Sequence, residues 1–181
     1  MVKPNSAGKE KDNSTRFCVD FRKVNEITKK DAYPIPRIDD AFNTLSGAKY
    51  FSSVDMFSGY WQVELKEEDK EKTACSTPYG LYEFNVMPFG LCGAPSLLQR
   101  LMENVLKGLQ FEICLIYIDD VVIFSSILEE HLNRLRLVFD CFRESELKLK
   151  ASKCHFGKRS IKCLGHIVSD RGIETDMIKW Q

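Results

Sequence analysis

Ile113-Cys114-Leu115-Ile116-Tyr117-Ile118-Asp119-Asp120-Val121-Val122-Ile123-Phe124 is an apolar run broken by two adjacent acids. A run of Ile, Leu, Val, Phe and Tyr reads as a buried strand, and paired charges in its middle are costly unless a turn or a cation relieves them. The spacing predicts a strand over 113–117, a tight turn carrying Asp119 and Asp120, and a return strand over 121–125. A third carboxylate, Asp55, ends another strand-like segment at 50–54 and is followed by Met56-Phe57-Ser58-Gly59-Tyr60-Trp61. An Asp-Asp pair in a turn also has a plain structural reading, because Asp side chains bond to nearby backbone and tolerate turn dihedrals. Three acids at strand ends in apolar surroundings point further, to convergence on one pair of cations.

The rest of the chain gives these strands a setting. Pro34 and Pro36 bracket an extended segment, after which Ile38, Ala41, Phe42 and Leu45 recur with helical spacing and Gly47 supplies a stop. This helix is expected to pack beneath the Asp55 strand. Residues 66–72 read as a charged connector, and 73–77 with 81–86 flank Pro78-Tyr79-Gly80 as a hairpin does. Pro95 opens a second helix with Leu97, Leu98, Leu101, Met102, Val105 and Leu106 as its buried stripe. A third helix is predicted from about 128 to 145, with Leu128, Leu132, Leu135, Phe139 and Phe142 facing the core. Residues 1–14 are polar and read as a flexible arm or chain end, with a strand beginning near Arg16. Antiparallel hairpins with helices on one face give an α+β class.

With 181 residues, 44% of them hydrophobic, the chain is expected to fold as one domain or two packed subdomains. Its 26 basic and 26 acidic residues cancel, so any nucleic-acid footprint must come from local clusters. Two such clusters are Lys148, Lys150, Lys153, Lys158, Arg159 and Lys162, and Lys9, Lys11, Arg16, Arg22 and Lys23. Seven scattered cysteines and no secretory signal predict a reducing compartment. Cys154, His155, Cys163 and His166 lack the paired spacing of a zinc site. No apolar segment reaches the roughly 18 residues of a membrane span.

Tyr117 to Asp120 resembles the Tyr-x-Asp-Asp signature of reverse transcriptases, and other segments follow the same pattern in the same order. Phe17-Cys18-Val19-Asp20-Phe21-Arg22-Lys23-Val24-Asn25, Asp31-Ala32-Tyr33-Pro34-Ile35-Pro36, Phe51-Ser52-Ser53-Val54-Asp55, Tyr82-Glu83-Phe84-Asn85-Val86-Met87-Pro88-Phe89-Gly90-Leu91 and Leu164-Gly165-His166 resemble gypsy-type long-terminal-repeat retrotransposon polymerases. Residues 16–176 are covered.

The resemblance implies a right-hand polymerase palm with partial fingers, 15–50 and about 66–90 being fingers-like and 51–65 and 91–165 palm. It implies an RNA-directed and DNA-directed DNA polymerase that works on a primed template with dNTPs and two Mg²⁺ ions, for which Mn²⁺ substitutes. By resemblance Asp55 and Asp119 bridge both ions, Asp120 assists one, and the Met56 carbonyl completes a shell. Arg16 grips triphosphate, and Lys11 is the fingertip lysine with Lys9 as the alternative. Lys153 matches the lysine that protonates leaving pyrophosphate. Tyr60 matches the gate against a ribose 2′-hydroxyl, and Phe89 and Gly90 lie where base and sugar rest, although retroviral relatives carry Gln at Phe89. Tyr117 and Leu164-Gly165-His166 match the primer-holding segments.

Such proteins work inside cells, in cytoplasmic virus-like particles or the nucleus, and continue past residue 176 into thumb, connection and RNase H; here 177–181 departs from the pattern. Two other readings differ in kind. A non-catalytic palm used for binding or assembly would keep the fold without synthesis. A nucleotide cyclase would share the paired acids but lack Tyr60, Phe89-Gly90 and the primer-grip match.

Overall fold

The computed structural model describes residues 4–9 and 15–175, with side chains described from Val19 onward; Lys11 lies outside them. In chain order the first elements are β1 (Pro4–Lys9), β2 (Thr15–Val19), α1 (Arg22–Ile27), α2 (Ile38–Leu45), β3 (Tyr50–Asp55), α3 (Glu67–Lys70), β4 (Cys75–Thr77) and β5 (Gly80–Tyr82). Then come α4 (Ala94–Val105), β6 (Cys114–Tyr117), β7 (Asp120–Ser125), α5 (Leu128–Glu144), β8 (His155–Lys158), β9 (Ser160–Cys163), β10 (His166–Ser169) and β11 (Gly172–Thr175). The chain divides into two compact units, Met1–Ala32 with Ser58–Leu97, and Tyr33–Phe57 with Leu98–Gln181.

The first unit holds two antiparallel pairs, β1–β2 and β4–β5. Val19, Phe21 and Cys75 form its buried centre, with Val24, Phe84 and Leu91 packed against them. Pro4–Lys9, expected within an arm, pairs with β2 instead, so polar composition there reflects a two-stranded ribbon. The charged connector contains α3, whose Lys70 pairs with Glu67 one turn away at 2.5 Å.

The second unit is built on a four-stranded antiparallel sheet in the order β6-β7-β3-β8. Successive side chains alternate between its faces. Phe51 and Phe124 are partners, and with Leu115 and Val122 they join Ala41, Phe42 and Leu45 of α2 and Ile161, Cys163 and Val168 of β9 and β10 in one buried cluster. The opposite face carries Ser52, which meets His131 of α5. The three-stranded sheet β11-β10-β9 completes the unit.

Two sequence expectations are corrected in this unit. Asp120 does not sit in the turn: it starts β7, and the turn is Ile118-Asp119, because Tyr117 and Asp120 close the ladder. The inner face of α5 is His131, Leu135, Val138 and Phe142, whereas Leu128 and Leu132 are 47% and 58% exposed. The helix is rotated from the expected stripe because a polar residue, His131, takes a core position.

Candidate active site

The apolar face of the sheet ends in acids. Asp55 and Asp120 are cross-strand partners, two positions beyond Ser53 and Val122, which are partners themselves. Direct partners share a face, so the two carboxylates continue the face that Phe51 and Phe124 begin. Asp119 follows in the turn. Its neighbour Ile118 has φ of 58°, a left-handed conformation that a β-branched residue rarely takes.

What holds that turn comes from α4. Gln99, fully buried, accepts the Ile118 N–H through Oε1 at 2.6 Å. Its Nε2 donates to Glu103 Oε1 at 2.7 Å, which fixes the amide's orientation. The Tyr33 hydroxyl in turn donates to the other Glu103 oxygen, and the Arg100 guanidinium lies over the Tyr33 ring. Sequence reading passed over Gln99, since a polar residue between Leu98 and Arg100 looks like surface.

Asp55 is fixed by the segment after α5. Phe57 N–H donates to Lys148 O, Lys150 N–H donates to Asp55 O, and Met56 forms a bridge with Leu149. This pairing leads into a single 3₁₀ turn, Ala151–Lys153, and brings Lys153 Nζ to 3.8 Å from Asp55 Oδ2. Lys153 therefore reaches the acids although it is 98 residues away in sequence from Asp55.

The charges respond to this crowding. Loss of water raises the Asp55 carboxyl, with Asp119 adding to the rise and Lys153 and Lys150 opposing it. Asp120 is open to solvent over part of its surface, yet desolvation of its carboxyl, then repulsion from Asp119 and Asp55, raise it to about 6. Asp55 and Asp120 thus both sense the neighbouring Asp119 charge. Among the described residues, however, no three His, Cys, Asp or Glu side chains are gathered closely enough to enclose an ion. By donor chemistry the set fits a hard divalent cation, which takes carboxylate and carbonyl oxygens; Asp55, Asp119, Asp120 and the Met56 carbonyl are of that kind. Cys154, His155, Cys163 and His166 form no metal cluster.

An open cleft of about 560 Å³ adjoins the acids, lined by Asp55, Asp120, Lys153, His155, Lys158 and Lys162 with Ile161, Cys163 and Ile167. Leu164 and Gly165 make the two-residue turn between β9 and β10, with φ of 49° and 80°. Gly accepts that conformation at no steric cost. His166 begins β10, its Nδ1 3.1 Å from Leu164 O and its ring edge-on to Phe42.

The remaining candidates lie in the first unit. Tyr60, on the single turn Gly59–Gln62, packs edge-on against Phe89 with ring centroids 5.3 Å apart, and Trp61 meets the same ring at 5.6 Å. Asn25 clamps the loop after Phe89: Nδ2 donates to Gly90 O at 2.8 Å and Oδ1 accepts Cys92 N–H at 2.9 Å. Arg16 occupies β2 opposite Gly8, and Lys9 lies in β1 opposite Thr15. Tyr117 is half-buried beside Asp120.

An antiparallel sheet bearing acids at its end, with a lysine drawn to them from a distant turn, is the arrangement expected of a polymerase-type palm. The chain belongs to the reverse transcriptase family: residues 7–168 match the profile of the reverse transcriptase (RNA-dependent DNA polymerase) domain. It is 45% identical over 177 residues to the retrovirus-related Pol polyprotein from transposon 297 of Drosophila melanogaster, an alignment covering 98% of this chain and 16% of that protein. The Pol polyprotein from transposon gypsy of the same fly is 41% identical over 161 residues, covering 89% of this chain and 16% of that one. An RNA-directed DNA polymerase homolog of Oenothera berteroana is 45% identical over 128 residues, 69% of this chain and 90% of its own length. The chain therefore spans about a sixth of the transposon polyproteins it matches.

Among solved structures, the foamy viral protease-reverse transcriptase in complex with double-stranded DNA superposes with a TM-score of 0.87 at 20% identity, covering 97% of this chain and 30% of that one. The same protein with an RNA/DNA hybrid gives 0.85 over 98% of this chain and 23% of that one. These matches establish the α+β polymerase palm as the fold. No helix among the described residues is long and apolar enough to cross a membrane.

Proposed function

We propose that this chain is the polymerising part of a retrotransposon reverse transcriptase, joining deoxynucleotides to a primer 3′-hydroxyl on an RNA or DNA template. The observation that carries the reading is the cross-strand pair Asp55 and Asp120 beside the turn acid Asp119, with Lys153 Nζ 3.8 Å from Asp55. In this reading 15–50 and about 66–90 serve as fingers and 51–65 and 91–165 as palm, bounds that cut across the two compact units at 33–50, 58–65 and 91–97.

Asp55, Asp119 and Asp120, with the Met56 carbonyl, would hold two Mg²⁺ or Mn²⁺ ions. When bound, such ions stabilise charge on the attacking and leaving oxygens of phosphoryl transfer. The protein's own groups do the rest. Lys153 holds a proton within reach of the acids and delivers it to departing pyrophosphate. Arg16 and Lys11 bind the triphosphate, Arg16 through a guanidinium suited to bidentate contact with phosphate. Tyr60, braced by Phe89, excludes the 2′-hydroxyl, while Phe89 and Gly90 support base and sugar. The cleft lined by Lys153, His155, Lys158 and Lys162 offers positive charge to the primer backbone, and the Leu164-Gly165-His166 turn holds its end. The foamy viral relatives bound to double-stranded DNA and to RNA/DNA hybrid support nucleic acid as the partner.

Primer extension on a homopolymeric RNA template, with Mg²⁺ and then Mn²⁺, tests the reading directly. Template-dependent extension is the expected result. Duplex binding without extension in either metal would instead support a non-catalytic palm.

A further inference from the structure

Ser52 is fully buried in β3, three residues before Asp55, where a hydroxyl needs partners. It has two. The ladder between β3 and β8 pairs Phe51 with Lys158 and Ser53 with His155, so Ser52 alone stands opposite Phe156 and Gly157. This is a β-bulge, and Gly157 adopts φ of 58° within it. The extra residue leaves its amide outside the ladder, and Gly157 N–H donates to Ser52 Oγ at 3.0 Å. From the other side, His131 of α5 places Nε2 2.7 Å from the same oxygen. His131 is 1% exposed, and its Nδ1 is without a partner among the described buried side-chain atoms. A core histidine that leaves one nitrogen unpaired carries a cost that a leucine would not. What it gains is a grip on Ser52.

The register set by the bulge has a direct effect on the acids. Because strand side chains alternate, adding or removing one residue turns everything on the near side of the bulge to the opposite face. His155 and the Ala151–Lys153 turn lie on that side, and Lys153 meets Asp55. A second tie reinforces the far side: Arg159 lies over the Tyr50 ring and donates to its hydroxyl at 2.8 Å.

We propose that Ser52 and His131 are positioning residues, which fix the Gly157 bulge and so aim Lys153 at Asp55. They act through the strand and touch no reacting atom. This inference rests on the polymerase reading above for its kinetic half.

The experiment compares Ser52→Ala, Ser52→Thr and His131→Phe in primer extension and in site-resolved amide hydrogen exchange. Ser52→Ala should lower kcat about tenfold with KM for the nucleotide within about twofold, and Ser52→Thr, which keeps the hydroxyl, should recover most of it. In a Lys153→Ala background Ser52→Ala should cost less than about twofold, since the effect passes through Lys153; this is a double-mutant cycle. Exchange should quicken at 155–158 in Ser52→Ala and His131→Phe, and stay unchanged in α2 and α4. Equal losses in both backgrounds, or exchange that quickens throughout the chain, would overturn the proposal. If the unaltered chain extends no primer, the polymerase reading fails by itself, and the clasp is decided by exchange: local quickening supports it and unchanged exchange refutes it.

Discussion

Gln99 Oε1 and Ile118 N lie 2.6 Å apart, joining the interior of α4 to the turn that presents Asp119. Removing that acceptor leaves a backbone N–H unpaired in a position the backbone already disfavours. Gln99→Leu is therefore expected to cost about 1–3 kcal/mol of stability, the penalty for an unsatisfied buried donor. It should reduce extension more than its loss of melting temperature explains. Thermal melts and extension rates on the same samples check this, and a variant equal to wild type in both would detach the turn from α4.

Replacing the acids tests their division of labour. Asp55→Asn and Asp119→Asn are each expected to abolish extension by several orders of magnitude, while Asp120→Asn leaves a trace. Circular dichroism should stay unchanged, since each side chain lies at the rim of the sheet. Near-normal synthesis by a folded Asp119→Asn would remove the metal assignment.

Protonation gives a signed prediction for the metal-free protein. Asp120 ionises near 6 in the folded chain against an ordinary 3.8, so between those values the folded state binds more proton than the unfolded one. Its contribution to stability is complete below pH 3.8 and is lost as pH rises through about 6. The difference in melting temperature between Asp120→Asn and wild type should thus grow in favour of the variant across that window and level off above it. Divalent-cation affinity should rise over the same range, because protons compete for the carboxylates. A difference that is flat with pH would show that Asp120 ionises normally.

Tyr60, seated edge-on against Phe89, is expected to discriminate by volume. Tyr60→Ala or Tyr60→Val should raise ribonucleotide over deoxynucleotide use by at least about tenfold, the effect of roughly 1.4 kcal/mol of relieved clash. The measurement is kcat/KM for matched nucleotides on one template. An unchanged ratio in a folded variant would return Tyr60 to simple packing.

Sequence revealed the hairpin acids because charge inside an apolar run has few structural explanations, and it placed α2 because Ala41, Phe42 and Leu45 share one helical face. It misjudged α5 for a related reason. Hydrophobic spacing finds a face but not its width, and His131 in the core cannot be told from a solvated histidine by pattern. Gln99 was hidden in the same way, as were Ser52 and Asn25, whose partners lie 79 and 65 residues away. The approach of Lys153 to Asp55 depends on the pairing of 148–150 with Asp55 to Phe57, a long-range ladder with no local signature. Buried polar contacts of this kind are set by tertiary packing, and helix or strand periodicity carries no trace of them.

The left-handed Ile118 has an engineering consequence. Holding a non-glycine residue there costs on the order of 1–2 kcal/mol, and Asn or Gly would enter the same region more easily. A library randomised at 118 and screened only for heat tolerance should therefore fill with those two residues. A thermostabilising programme that spares every acid but edits their neighbour would change the stiffness of the hairpin before it changed its charge.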